Sequence, residues 1–187
     1  MFIAFSGVSS SGKNTVMNEL IKKRENLKVL ERSSCTTRAP RESDKQFNTY
    51  IYYSDEEFKK GIEEGLFFEY EDVHGHYYGT ILERLQFAAE DVDNDYIRDI
   101  DVKGVVNLKK FFADKCGIIS IFLDAPNDVL RERLLKRGDR PEDIEKRLSR
   151  SEMERSYKDR YDLVVENIDL DKTVATISAF IDKVKGV

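Results

Sequence analysis

Cysteine is scarce in this sequence. Only Cys35 and Cys116 are present, far apart and in no paired motif, which disfavours a disulfide scaffold and fits a reducing, cytoplasmic setting. Long apolar runs are missing as well: none approaches the roughly 18 residues that would cross a bilayer, so no membrane partner is expected. The short apolar start, Met1 to Phe5, has no basic stretch ahead of it and runs straight into serine and glycine, so a signal peptide is not expected. There is no basic excess either. Lys and Arg number 31 against 36 Asp and Glu, a formal charge of −5, and this balance argues against nucleic acid as a partner. Repeats and low-complexity tracts are absent, and three prolines with ten glycines place the breaks. What remains is a chain of 187 residues, 40% hydrophobic and 36% charged with both signs interspersed. That length and mix describe one domain with a sizeable core and a charged surface, without disorder.

The pattern along the chain is mostly strand, helix, strand. Phe2 to Ser6 reads as a short buried strand, Gly7 to Gly12 as a loop, and about 14–23 as a helix with Val16, Leu20 and Ile21 at helical spacing. The texture then changes. Thr49 to Tyr53 has strand composition, and Ser54 with Glu57 forms a capping box that opens a helix to about Glu64. Leu66 to Val73 and Tyr77 to Thr80 read as extended, joined by a turn at 74–76. From Ile81 the alternation returns: helix to Glu90, strand Tyr96 to Ile100, helix from about Lys103 to Ala113, and an apolar strand Ile118 to Leu123 expected at the sheet centre. A basic helix, Asp128 to Lys136, ends at Gly138; Pro141 to Arg160 looks helical; Leu163 to Val165 is a last strand. The final helix, about 171–184, carries Val174, Ile177, Ile181 and Val184 on one face. Alternating strands and helices imply an α/β fold with a doubly wound parallel sheet. The segment 33–80 breaks that rhythm and reads as an inserted mixed β/α subdomain. The expected division is a core of 1–32, 81–136 and 161–187, the insert 33–80, and a helical lid 137–160.

The strongest local signal is Gly7-Val8-Ser9-Ser10-Ser11-Gly12-Lys13-Asn14-Thr15. It has the G-x4-G-K form of a P-loop, after a strand and before a helix, the context such a loop requires. Glycines let successive amides turn inward, the helix N-terminus adds partial positive charge, and Lys13 supplies a mobile full charge for the β- and γ-phosphates. The residue directly after the lysine is Asn14 rather than Ser or Thr, and Thr15 brings a hydroxyl one position late.

Two arginines three apart, Arg38 and Arg41, follow the hydroxyl-rich Ser33 to Thr37, and an arginine fork suits phosphate. A second group, Arg131, Arg133, Arg137 and Arg147, lies late in the chain. Charge is uneven: Asp55 to Asp72 holds eight acidic and two basic residues, a net of −6, while Arg131 to Arg160 holds eleven basic and eight acidic, a net of +3. Phosphoryl transfer needs positioning and positive charge more than covalent chemistry, so two anion centres with a basic lid suit a reaction joining two phosphorylated molecules. Each residue also has a plainer role open to it. Glu69 could be an exposed strand acid, Asp101 a helix cap, Tyr77 and Tyr78 core or rim aromatics, and Arg147 a partner of Asp143 or Glu145. His74 and His76 have no metal-ligand spacing around them. Cys35, inside the Arg38 segment, is a candidate for inhibitory alkylation.

Taken in order, the P-loop, Ser34-Cys35-Thr36-Thr37-Arg38-Ala39-Pro40-Arg41, Glu69, His74-Gly75-His76-Tyr77-Tyr78-Gly79-Thr80, Asp99-Ile100-Asp101-Val102-Lys103-Gly104, Arg133-Leu134 with Lys136-Arg137-Gly138, and Lys146-Arg147-Leu148 make the chain resemble the guanylate kinases over nearly its whole length. The resemblance implies a cytoplasmic P-loop nucleoside monophosphate kinase that phosphorylates GMP, and dGMP, from ATP with Mg²⁺. It implies that Arg38, Arg41, Tyr50 and Tyr78 hold the GMP phosphate, and that Ser34, Glu69, Thr80 and Asp101, with Gly79 beside them, read guanine. Lys13, Arg137 and Arg147 would clamp the moving phosphoryl with Arg38 bridging to the acceptor. Residues Gly7 to Thr15 with Arg133 would hold ATP, Asn167 would lie by its adenine, and Asp99 would help place magnesium. Water must be excluded, so the insert and lid are expected to close on ligands. Several residues depart from the family pattern: Val8 and Ser10 in the loop, Arg98 where an apolar residue is usual, and Lys103. Ser10 stands where glycine would accept a positive φ. Arg98, as the strand neighbour of Asp99, should point to the opposite face. A binding module without catalysis, and a kinase with another phosphorylated acceptor, stay open at this point, as does the choice between monomer and homodimer.

Overall fold

The computed structural model describes residues 1–40, 44–45, 47–73 and 75–186. In chain order its elements begin with β1 (Phe2–Gly7), α1 (Lys13–Lys23), β2 (Leu27–Val29), β3 (Ser34–Thr36), β4 (Tyr50–Tyr52), α2 (Asp55–Glu63), β5 (Phe67–Val73) and β6 (His76–Ile81). They continue with α3 (Leu82–Glu90), β7 (Asp95–Asp99), α4 (Val105–Phe112), β8 (Ile118–Asp124), α5 (Asn127–Arg137), α6 (Pro141–Arg155), β9 (Leu163–Glu166) and α7 (Leu170–Lys185).

β1 is the spine because its sequence is apolar without interruption from Phe2 to Phe5. All six of its residues are buried. Alternation sends Ile3 and Phe5 to one face and Phe2 and Ala4 to the other, and each pair joins a different core cluster. A strand buried on both faces needs helices on both. Val16, Met17 and Leu20 of α1 with Val174, Ile177 and Ile181 of α7 cover the first face. Leu85 and Ala88 of α3 with Leu108 and Phe112 of α4 cover the second. The sheet runs β2-β7-β1-β8-β9, parallel at every pairing, which is the doubly wound fold the sequence implied. β8, expected at the centre, is an interior strand beside β1, which takes the middle position. Val184, expected on the apolar face of α7, is 48% exposed, because the last turn of that helix runs past the core. β2 and β3 were not expected as separate strands; at three residues each they are too short to show a period.

A second sheet, β4-β3-β6-β5, is mixed: β3 and β4 pair in parallel, the others antiparallel. Its helix α2 opens as expected. Ser54 Oγ accepts from the Glu57 amide at 3.2 Å, and the Glu57 carboxylate accepts from the Ser54 amide at 2.7 Å. This sheet has its own small core, where Phe58 stacks on Phe67 and Tyr77 with ring centroids 4.4 and 5.1 Å apart. No helix among the described residues is long and apolar enough to cross a membrane.

The fold positions the site through one edge. β1 and β7 pair in register from Phe2↔Tyr96 to Phe5↔Asp99, so β7 ends at the level of Phe5, two residues before Gly7, and both Gly7 and Asp99 line the cleft at the carboxyl edge of the sheet. Gly7 passes so close to β8 that a Cβ there would lie 2.1 Å from the Leu123 carbonyl oxygen. The loop then turns through Ser10, whose φ is 65°. That left-handed conformation costs an L-residue about 1–2 kcal/mol, while glycine in its place loses roughly 0.5–1 kcal/mol more on folding. Ser10→Gly should therefore leave stability unchanged or raise it by up to about 1 kcal/mol. Thermal melting checks this, and a clear loss of stability would show that the Ser10 side chain holds the loop.

Candidate active site

The loop between β1 and α1 is braced from below. Arg133 donates to the Ser11 carbonyl at 3.0 Å, the Ser10 carbonyl at 3.4 Å and the Asn167 carbonyl at 2.8 Å. Asn167 is buried and its amide donates to the Ser11 carbonyl at 2.7 Å, while its Oδ1 has no partner among the described residues. Arg133 and Asn167 thus fix the loop backbone. Lys13 folds back over the loop and donates to the Gly7 and Val8 carbonyls at 2.9 and 3.3 Å. Asn14 is half-buried and Thr15 is exposed.

Facing the loop is a cleft of about 530 Å³, with Lys13, Asp99 and Asp101 on one wall and Arg147, Arg150 and Glu154 of α6 on the other. The polar residues of α6 that reach it recur every three or four positions, so they share one helical face, while Ile144 and Leu148 pack against the core. Arg147 donates to Ser9 Oγ at 3.1 Å, and its Nε lies 3.1 Å from Asp139. Glu154 is buried and accepts from the Ser9 amide at 3.3 Å and from Arg150 at 3.0 Å. Burial pushes its carboxyl above the ordinary value, against the pull of Arg150 and Lys13. A carboxylate on a loop amide stands where an anionic ligand oxygen would bind. Glu154 and Arg150 were not foreseen; the polar stripe through Asp143, Arg147, Arg150 and Glu154 was the signal available. Arg137 lies outside this lining, 61% exposed, with its Nε 3.4 Å from Asp139.

Asp99 sits on the cleft floor. Burial in the surrounding protein raises its carboxyl above the usual range, opposed by the charges of Lys13 and Arg98; the residue faces the open cleft, so solvent offsets part of that rise. Asp101 accepts from the Lys103 amide at 3.0 Å, capping that turn, and from Arg150 at 3.1 Å.

The other expected residues lie on the second sheet. Arg38 is buried, forks onto Asp44 with bonds of 2.7 and 2.9 Å, and covers the Tyr50 ring at 5.1 Å. Asp44 also accepts from Tyr52 Oη at 2.8 Å. The Asp44 carboxylate raises the Arg38 pKa further, and Tyr50, raised by burial, feels both Arg38 and Arg98. Ser34 and Thr80 are directly paired across β3 and β6. Glu69 accepts from Asn107 at 3.0 Å and lies against Gly104, where a Cβ would be 3.0 Å from its Oε1 and 3.6 Å from the Asp101 carbonyl. The fold therefore brings Glu69 to the Asp101–Gly104 turn. Tyr78 is half-buried, and Gly79 is buried over Cys35, its Cβ position 2.8 Å from Cys35 Sγ. Cys35 is fully buried and burial pushes its thiol up to about 12, so both access and thiolate formation disfavour the alkylation expected there. Arg41 and His74 lie outside the described residues. Arg98 points away from Asp99, as strand alternation requires, but that face is the base of the second sheet rather than open solvent or apolar core. Among the described residues no group of three or more His, Cys, Asp or Glu could hold a metal ion on its own.

Comparison with known proteins agrees with this arrangement. The guanylate kinase family model matches residues 2–184. The chain is 37% identical over 182 residues to a guanylate kinase of Caldanaerobacter subterraneus subsp. tengcongensis, covering 97% of this chain and 86% of that protein. It is 40% identical over 173 residues to a guanylate kinase of Helicobacter pylori, covering 91% of this chain and 81% of that protein. A crystal structure of guanylate kinase from Anaplasma phagocytophilum superposes with a TM-score of 0.69 at 26% identity, covering 98% of this chain and 85% of that one. A match of this extent, along a chain whose sheet order and loop geometry are those of a P-loop kinase, means that the chain belongs to the guanylate kinase family.

Proposed function

We propose that this protein transfers the terminal phosphoryl group of ATP to GMP, and to dGMP, yielding ADP and the nucleoside diphosphate. The observation that carries the reading is the pairing of two separate cationic centres: Lys13 with Arg147 at the loop, and Arg38 on the second sheet. Each is held by an internal acceptor or carboxylate that an incoming phosphate can replace. The two relatives compared above are named guanylate kinases, and an acceptor phosphate oxygen is already anionic, so no strong base is required. Positioning and charge neutralisation supply the catalysis.

In this reading Lys13 releases its two loop carbonyls to meet the β- and γ-phosphates. Arg147 leaves Ser9 Oγ for the moving group, and Arg38 exchanges Asp44 for the acceptor phosphate, with Tyr50, Tyr78 and Arg41 beside it. Arg137 reaches the phosphates only when the end of α5 and the 137–160 lid swing inward. Ser34, Glu69, Thr80 and Asp101 read the base. Magnesium ordinarily takes one or two carboxylates and completes its shell with substrate oxygens and water. Asp99 fits that use: an acid on the cleft floor, beside the loop. Bound there with ATP, the ion would shield phosphate charge. The division into core, insert 33–80 and lid 137–160, and a cytoplasmic location, belong to the same reading; the two free cysteines support the latter. A binding module without catalysis is disfavoured by the retained Lys13, Arg38, Arg137 and Arg147.

The direct test is ADP release in the presence of ATP, Mg²⁺ and each of GMP, dGMP, AMP, CMP and UMP. Release should depend strongly on the guanine nucleotides; release with none of them would overturn the proposal. Lys13→Ala should lower turnover by roughly 100- to 1,000-fold without loss of folding. Because Glu154 occupies a loop amide with a buried negative charge, Glu154→Gln should tighten ATP binding several-fold by calorimetry. The wild type should bind ATP more tightly as pH falls toward the raised Glu154 value, and the Gln variant should show a shallower dependence. Weaker binding in Glu154→Gln would mean that the carboxylate holds the loop in its binding form.

A further inference from the structure

Among the described residues, Arg98 is the one buried guanidinium whose side chain serves no part of the scheme above. It is 7% exposed, and one of its terminal nitrogens bridges two hydroxyls, donating to Ser34 Oγ at 2.8 Å and Thr80 Oγ1 at 3.1 Å. Its Nε and its other terminal nitrogen are buried with no hydrogen-bond partner among the described residues. No carboxylate forms an ion pair with it among those residues; Tyr50, Glu69 and Asp99 act on it only through the field. A buried cation with two unpartnered donors is a stability cost that a well-packed apolar side chain would avoid.

An arginine can only donate. Both hydroxyl oxygens must therefore accept from it, and each hydroxyl's own proton is turned elsewhere. A serine or threonine hydroxyl has one donor proton and two acceptor lone pairs; Arg98 occupies one lone pair of each and biases both protons away from itself. Ser34 and Thr80 are cross-strand partners, so the two protons leave one small patch together. Glu69 lies nearby as the opposing group, an acceptor held by Asn107. Donors on one side and an acceptor on the other match the edge of a purine carrying a ring carbonyl next to a ring N–H. They mismatch a purine with an amino group at that position, where donor would meet donor.

We propose that Arg98 is a specificity residue of the acceptor-base subsite, which it acts on by fixing Ser34 and Thr80 as hydrogen-bond donors toward the ring carbonyl of the base. This rests on the reading of GMP as acceptor. Arg98 is a positioning residue: its effect reaches the base through the two hydroxyls.

The test measures equilibrium binding of three probes without catalysis: GMP, AMP, and 6-thioguanosine monophosphate, which keeps the N1–H and 2-amino donors of GMP but replaces the ring carbonyl oxygen with a weakly accepting sulfur. The wild type should prefer GMP over the thiocarbonyl analogue by roughly tenfold. In Arg98→Met, GMP should bind about tenfold or more weakly and that preference should collapse to within about threefold. ATP affinity should stay unchanged, because Arg98 lies on the opposite face from Lys13. Arg98→Met should fold, since a buried unpaired charge is being replaced by an apolar chain of similar length; melting verifies it. Arg98→Gln is a second variant that restores an acceptor to the patch and should lose the preference as well, while Arg98→Lys should rescue part of it. A folded Arg98→Met or Arg98→Gln that keeps the wild-type preference overturns the role of Arg98 while leaving the acceptor reading intact. A wild type that binds ATP but neither guanine probe overturns the acceptor reading, and this proposal with it.

Discussion

The parallel pairing of β1 with β7 is the constraint on which the rest depends. Its register ends the two strands within two residues of each other, so the P-loop leaves the sheet near Asp99, and the Asp101–Gly104 turn follows within a few residues. α1 departs to one face and α4 to the other, which opens a crevice at the carboxyl edge where the strand order changes direction. Lys13, Asp99 and Asp101 hang on that edge, and α6 supplies the facing wall. The spine itself contributes no chemistry; it is apolar, buried on both sides, and for that reason rigid.

Around this edge the protein satisfies its cations internally. Asp44 holds Arg38, Asp139 lies against Arg137 and Arg147, and Asp101 with Glu154 holds Arg150. Such pairs keep long side chains ordered, and the exposed ones, such as Arg150 with Asp101, contribute only about 0–1 kcal/mol each. Phosphate, carrying more charge than a carboxylate, can displace them. The same logic explains why Arg137 stands outside the cleft: it is on the end of α5, beside Gly138, where a small rotation changes its reach.

Much of this was legible in the sequence because the signals were local. The apolar run Phe2 to Phe5, the G-x4-G-K loop and the Ser54–Glu57 capping box each fix their own element through a few neighbouring residues. The positive φ at Ser10 followed from a serine standing where glycine would be expected. Less legible were features set by contact between distant segments. The three-residue strands β2 and β3 exist only because β7 and β6 offer them edges. Glu154 reaches the loop from α6, 145 residues away. Arg98 obeyed strand alternation, but what lay on its side of the strand depended on the second sheet docking there. The role of Cys35 turned on burial, which spacing does not reveal.

The central claim is that the loop centre and the Arg38 centre take two nucleotides at once. Calorimetry with adenosine and guanosine joined through a pentaphosphate tests it most directly. The account predicts one molecule bound per chain, tighter than ATP or GMP alone, and competition against both. Two molecules bound per chain, or competition against only one of the nucleotides, would contradict it.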